Sequence, residues 1–194
     1  MKNLAGNWLI SPIYIYESPE YVTVLSGTDA NLNGDSVDRT IINPNGVKGT
    51  GSAVKPVYST TLASSCGTGV TQCATNLVGY VATNPNAYYI QAGAGTLPNA
   101  ARNTLPLRPI DNIDLSAVKR INFTDRYVFE FQAQAFNVLN HPQYIPGSLD
   151  NVNFNDTHTD STAIINASSA AFNKPQTLFN SNARTMQLAA KFIF

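Results

Sequence analysis

The chain has 194 residues, with 12 Lys or Arg against 12 Asp or Glu and a formal net charge of zero. That balance excludes a basic surface for nucleic acid and a charge block for a polyanionic partner. Charged residues make up only 12% of the chain, about half the share of a soluble domain; Asn, Ser, Thr and Gln carry the polarity, and the aromatics are mostly Tyr and Phe, a mixture that suits strands joined by turns.

Residues 1–7 contain no secretory apolar segment, and no run approaches the ~18 apolar residues of a membrane-spanning helix. Any membrane crossing must therefore use strands, and a fragment of a longer outer-membrane protein is expected. The first run, near residues 6–16, is rich in β-formers such as Trp8, Ile10, Ile13, Tyr14 and Tyr16. Pro12 within it points to an edge or irregular position. Its two faces do not separate cleanly.

A long connection follows, over residues 17–109, holding most of the Gly and Pro and two strand-like pieces at 21–25 and 87–90. Connections of this length are uncommon in compact soluble domains. Inside it, Asp29, Asn31, Asn33, Gly34 and Asp35 fit the first half of a calcium loop: oxygen ligands at alternate positions and Gly for the sharp turn. The twelfth position is Thr40 instead of a bidentate Glu, although Asp38 lies close by. An Asx-turn-rich surface loop without an ion fits the same residues. Cys66 and Cys73 are close enough in sequence for a small-loop disulfide, which points to an oxidising compartment; free thiols are the alternative, and a zinc site lacks further ligands nearby.

The second run is expected near residues 111–121. Ile113, Leu115, Ala117 and Ile121 share one face with Lys119, and Asp114, Ser116, Val118 and Arg120 share the other. A short polar turn covers residues 122–126. The third run, near 127–138, carries the clearest pattern: Tyr127, Phe129, Phe131, Ala133 and Ala135 alternate with Val128, Glu130, Gln132, Gln134 and Phe136. This is the period-two mark of a strand with one apolar and one polar face. A second long connection spans residues 139–183. It opens with Asn140, His141 and Pro142 at the strand end, where His141 suits a turn or interface better than ligation or catalysis. His158 falls in its polar interior. The fourth run, near 184–194, places Met186, Leu188, Ala190, Phe192 and Phe194 on one face, with Thr185, Gln187, Ala189, Lys191 and Ile193 on the other.

Together these patterns predict an all-β chain: an antiparallel meander of about four transmembrane strands at the C-terminal end of an outer-membrane β-barrel, which the resemblance given below implies to be a large one. The runs are about the 9–11 residues a tilted strand needs to cross a bilayer. Tyr127, Phe129, Phe131, Met186 and Leu188 would face outer-membrane lipid, and the Gln- and Glu-bearing face a hydrated lumen. Short periplasmic turns and long extracellular loops make 122–126 periplasmic and 17–109 and 139–183 extracellular. The rival reading is a secreted or surface β-sandwich binding module, with or without calcium. A third is an adhesive surface protein on the same barrel, with residues 17–109 as its contact loop. No nucleophile–base, paired-carboxylate or metal-protease spacing stands out, so the chain is not expected to be an enzyme.

The C-terminal half resembles a known family. Arg102, Asn103 and Thr104, followed by Asn112, Asp114, Leu115, Ser116 and Lys119, resemble the Arg-Asn … Asn-x-Asp-Leu-Ser-x-x-Lys signature of Oar-like TonB-dependent receptors. The stretch from Phe129 through Phe136, Asn137, Asn140, His141 and Pro142 to Tyr144 resembles that family's F-x-A-E-x-F-N-x-x-N-H-P-x-F segment. Arg184, Gln187, Lys191 and Phe194 resemble its R-x-x-Q-x-x-x-K-x-x-F terminus. Residues 6–11, around Trp8, and the Asp/Asn/Gly-rich stretch 29–39 are similar to family segments as well. Two positions depart from the pattern: Arg108-Pro109-Ile110 stands for the usual Gly-Pro-Gly, and Pro12 for a Gly.

The resemblance implies a barrel of about 22 strands around an N-terminal plug. It also implies transport across the outer membrane driven through TonB. The plug, the TonB-contacting segment and most strands would lie upstream of these residues. Gln187, Ala189, Phe192 and Phe194 resemble the terminal signal read by the barrel-assembly machinery. No cofactor is expected beyond the calcium that residues 29–35 fit.

Overall fold

A computed structural model describes residues 5–144 and 163–194; His158 and the middle of the second long connection lie outside the described residues. Eleven strands run through those residues: β1 (Trp8–Glu17), β2 (Tyr21–Val22), β3 (Ile41–Ile42), β4 (Val47–Ser52), β5 (Val54–Tyr58), β6 (Leu77–Ala82), β7 (Ala87–Ile90), β8 (Leu105–Pro106), β9 (Ile110–Asn122), β10 (Val128–Phe136) and β11 (Thr185–Ile193). The fold is all-β. No helix among the described residues is long and apolar enough to cross a membrane.

The strands fall into two units. In the first, β1, β9, β10 and β11 form one antiparallel sheet in the order β1-β9-β10-β11. Its register sorts every side chain, because residues paired across an antiparallel ladder share a face. Ile10, Ala117, Ala133 and Leu188 line up across the four strands, and so do Pro12, Leu115, Ala135 and Met186. Trp8, Lys119, Phe131 and Ala190 form a third row. The opposite face carries Ser11, Ser116, Gln134 and Gln187 in one row, and Leu9, Val118, Gln132 and Ala189 in the next. Arg120 and Glu130, partners in the register, close an ion pair of 2.6 Å on that side.

The register also orients β1, whose sequence is apolar on both sides. Trp8, Ile10, Tyr14 and Tyr16 join the apolar face; Leu9, Ile13 and Ile15 join the face that is polar in the other strands. Pro12 sits in an unbroken pairing with Leu115, in a strand that borders only β9 among the described residues, as the missing N–H of proline requires.

β9 turns into β10 through Phe123, whose N–H donates to the Tyr127 carbonyl at 3.0 Å, with the Thr124 hydroxyl accepting from the Tyr127 N–H at 3.1 Å. At the other end of the sheet β1 ends beside the start of β9, with Glu17 opposite Ile110, and β10 ends beside the start of β11, with Phe136 opposite Thr185. Both long connections therefore leave and re-enter at one end, and the only short turn between these four strands lies at the other.

The described residues of the second unit, within 20–107 and 163–179, fold with a core of their own, which the expectation of long polar connections over 17–109 and 139–183 did not include; the strand-like pieces expected at 21–25 and 87–90 contain β2 and β7. β7 is flanked by β3 on one side, antiparallel, and β4 on the other, parallel; β5 pairs β6, and β2 pairs β8. Val22, Val24, Leu25, Tyr89 and Leu105 from the first connection pack with Ile164, Ile165, Ala167 and Phe172 from the second. Leu25 bridges them through its backbone: its N–H donates to Ile165 and its carbonyl accepts from Ala167, both at 2.9 Å. The apolar residues are few and scattered, and Asn, Thr and Ser side chains close the backbone around them, so no long periodic run announces the core.

Candidate functional site

The four-stranded sheet is the surface with a two-sided chemistry. Phe129, Phe131, Met186 and Leu188 all lie on its apolar face. Tyr127, just before β10, stacks on Phe192 with ring centroids 6.0 Å apart, and Phe192 stacks on Phe194 at 6.2 Å. The short-turn end of the apolar face thus carries three stacked rings, with Trp8 on the same face across the sheet on β1. The other face carries Glu130, Gln132, Gln134, Gln187 and Lys191. The residues expected to form a terminal assembly signal divide between the two: Gln187 and Ala189 are on the polar face, Phe192 on the apolar one, and Phe194 follows the strand and is largely exposed.

Lys119 is a charged residue on the apolar face, as is Asp111 at the other end of β9. Lys119 is only 8% exposed. Its ammonium lies 4.9 Å from the centre of the Trp8 ring and donates to the Gly6 carbonyl at 2.5 Å. Cation–π attraction and a carbonyl partner let a lysine stay on an apolar surface near its edge.

A polar lock closes the opposite end of the sheet. Asn137, directly after β10, is buried and adopts a positive φ of 51°, a conformation Asn tolerates better than most residues. Its N–H donates to Asp114 Oδ1 at 2.9 Å. Its amide donates to the carbonyls of His141 and Asn182 at 2.9 and 2.8 Å, and its Oδ1 accepts the His141 N–H at 2.9 Å. Gln143, also buried, pairs its amide with the backbone of Asp111: Oε1 accepts the Asp111 N–H at 2.9 Å while Nε2 donates to the Asp111 carbonyl. Asn182 Oδ1 in turn accepts the Gln143 N–H at 3.0 Å. The imidazole of His141 lies 3.9 Å from the Asp111 carboxylate. The lock ties the start of β9, the end of β10 and the approach to β11 together. Residue-type reasoning missed it, although the spacing of Asn137, Asn140 and His141 was its signal.

In the loop unit, the Asp29 carboxylate accepts the N–H groups of Asn33 and Gly34 at 2.9 and 2.7 Å. Asn31 Oδ1 accepts from the Asn33 N–H at 3.1 Å, Asn33 Oδ1 from the Asp35 N–H at 2.9 Å, and Asp35 from the Val37 N–H at 3.1 Å. Asp38 accepts the N–H groups of Ala30 and Asn31 at 2.7 and 3.0 Å. The loop is closed by its own Asx turns. No group of three or more His, Cys, Asp or Glu gathers among the described residues. Cys66 and Cys73 are joined as a disulfide, their Cα atoms 5.6 Å apart. Beside it the buried Asn76 side chain bonds Ser59, Thr71 and Cys73.

A family model for an outer membrane beta barrel domain matches residues 1–187. No curated protein and no solved structure matches the chain.

Proposed function

The chain belongs to the family of outer membrane beta barrel domains, and from that membership we propose that it forms wall and closing strands of a TonB-dependent receptor of the Oar-like type. Its place is the outer membrane, and its sheet is barrel wall; the secreted β-sandwich alternative does not fit that family. The role proposed is non-enzymatic. The observation that carries the reading is the sheet itself: one apolar and one polar face, with both long connections at one end and the short turn at the other. In a bilayer this sets the short turn in the periplasm and the folded connections outside the cell. The free edges of β1 and β11 then pair with further strands of the barrel, and Gln187, Ala189, Phe192 and Phe194 present the terminal strand to the assembly machinery. The Arg-Asn, Asn-x-Asp-Leu-Ser and Asn-His-Pro segments support the TonB-dependent assignment.

The orientation is tested on intact cells that express the whole protein, with an epitope inserted in the 66–73 loop or after Asp125. Labelling of the first and protection of the second is expected; the reverse pattern refutes the orientation. Uptake or export that persists unchanged when TonB is deleted refutes the receptor assignment and leaves the barrel intact.

A further inference from the structure

The strand β4 departs from its ladder with β7 between Val47 and Gly51, where the register shifts. Such bulges redirect side chains and often stand beside binding sites. A glycine conformation and two contacts hold this one. Gly49 takes a φ of +77°, open to glycine at no steric cost. The Thr50 hydroxyl accepts the Tyr88 N–H at 3.2 Å, in place of a ladder carbonyl. The Asn173 amide donates to the Gly49 carbonyl at 2.9 Å.

Beside the bulge lies a cleft of about 300 Å³, whose walls include Lys48, Gly49, Tyr88, Tyr89, Thr104 and Asn173. That volume is at the small end of ligand sites. Tyr89 is buried and donates to the Thr104 hydroxyl at 3.2 Å, so Thr104 keeps its own hydrogen to offer. Tyr88 is half-buried and packs edge-on to Tyr89, centroids 4.9 Å apart. Lys48 is exposed at the rim, and among the described residues it has no carboxylate partner; none of the lining residues is acidic.

We infer that this cleft binds a single sugar ring bearing an anionic substituent. Hydroxyl and amide groups that both donate and accept match sugar hydroxyls. A phenol ring offers an apolar surface to the ring's C–H face. Lys48 supplies one charge-assisted contact for a carboxylate or phosphate on that ring. A simple anion uses only Lys48, and a neutral sugar leaves Lys48 unused. The inference does not depend on the receptor assignment, because every residue of the cleft lies in the folded loop unit.

The test uses the full chain refolded in detergent micelles, titrated with glucuronate, glucose and inorganic phosphate and followed by calorimetry. Glucuronate is expected to bind saturably and about tenfold tighter than glucose, the share of one charge-assisted hydrogen bond. Lys48→Gln, at an exposed position, is expected to erase that difference; Tyr88→Ala is expected to weaken both sugars. Retention of the parent thermal transition by each variant establishes that it folds. The inference is overturned if glucuronate does not bind saturably, if glucose binds equally well, if phosphate displaces glucuronate at equal concentration, or if folded Lys48→Gln keeps the preference.

Discussion

Asn137 and His141 hold each other through two hydrogen bonds, the His141 N–H to Asn137 Oδ1 and the Asn137 amide to the His141 carbonyl, both at 2.9 Å. The pair closes the turn that follows β10, and the same amide also reaches Asn182, just ahead of β11. One side chain therefore fixes where two strands begin and end. Asn137→Ala removes three hydrogen bonds, two with the His141 backbone and one with the Asn182 carbonyl, and is expected to destabilise the sheet by about 2–3 kcal/mol. Asn137→Gly relieves the positive φ and loses less. The temperature at which the assembled protein converts to its slow-migrating form on a gel reads both; equal stability of the parent and the alanine variant contradicts the lock.

The two faces of the sheet answer differently to charge. Leu188 sits mid-strand on the apolar face, in the row with Ile10, Ala117 and Ala133. Leu188→Arg is expected to cost about 2–4 kcal/mol, the penalty for arginine near a bilayer midplane, and to block assembly. Gln134→Arg, on the opposite face, is expected to assemble at parental levels. Outer-membrane fractionation of the two variants checks the assignment of faces, and a tolerated Leu188→Arg alongside a failing Gln134→Arg inverts it.

Trp8 protects Lys119. Trp8→Ala removes the ring 4.9 Å from the ammonium and leaves the Gly6 carbonyl as the contact described for it. A loss of about 1–2 kcal/mol is expected, and Trp8→Phe recovers part of it. The double variant with Lys119→Met is expected to lose less than Trp8→Ala alone, since no ammonium is then left at this end of the apolar face. Unfolding midpoints of the three variants in detergent supply the cycle.

The loop unit carries a pH dependence at Tyr89. Burial raises its phenol above the ordinary value near 10, with a smaller upward push from Tyr88 and an opposing one from the Thr104 hydrogen bond. The folded state then holds this proton more tightly than the unfolded state. Its contribution is complete below about pH 10 and is lost as the pH rises through the folded value. Unfolding midpoints measured at about pH 8 and pH 11 are expected to fall further in the parent than in Tyr89→Phe. An identical fall in both argues against the buried phenol as its source.

Asp38 and Asp29 brace the loop through backbone N–H groups. Asp38→Ala is expected to speed proteolysis between Asn31 and Arg39, in chelator as well as in calcium, because these hydrogen bonds need no ion. Protection that appears only when calcium is present points instead to an ion-held loop.

The barrel wall was legible because alternation was long enough to read. From Tyr127 to Ala135 the apolar residues keep period two, and β11 repeats it from Met186 to Phe192. β1 was not orientable from its own residues, since Leu9 and Ile10 or Tyr14 and Ile15 are equally apolar; pairing with β9 decided it. The loop core stayed hidden for a different reason. Its strands are as short as two residues, and Val22 and Ile164 meet only through tertiary structure. The lock was half legible: the Asn and His spacing was visible, but Asp111, Asp114 and Asn182 join it through folding alone.

The pairing of Leu25 with Ile165 and Ala167 sets an order of events during biogenesis. Val22, Val24 and Leu25 emerge early, but their partners follow only after β9 and β10 have been made. Until then the first connection cannot complete its interior, and contacts this distant along the chain form slowly. The loop unit thus receives the last part of its interior late in synthesis. A truncation before Ile164 leaves the earlier half without its interior partners, however intact its own sequence.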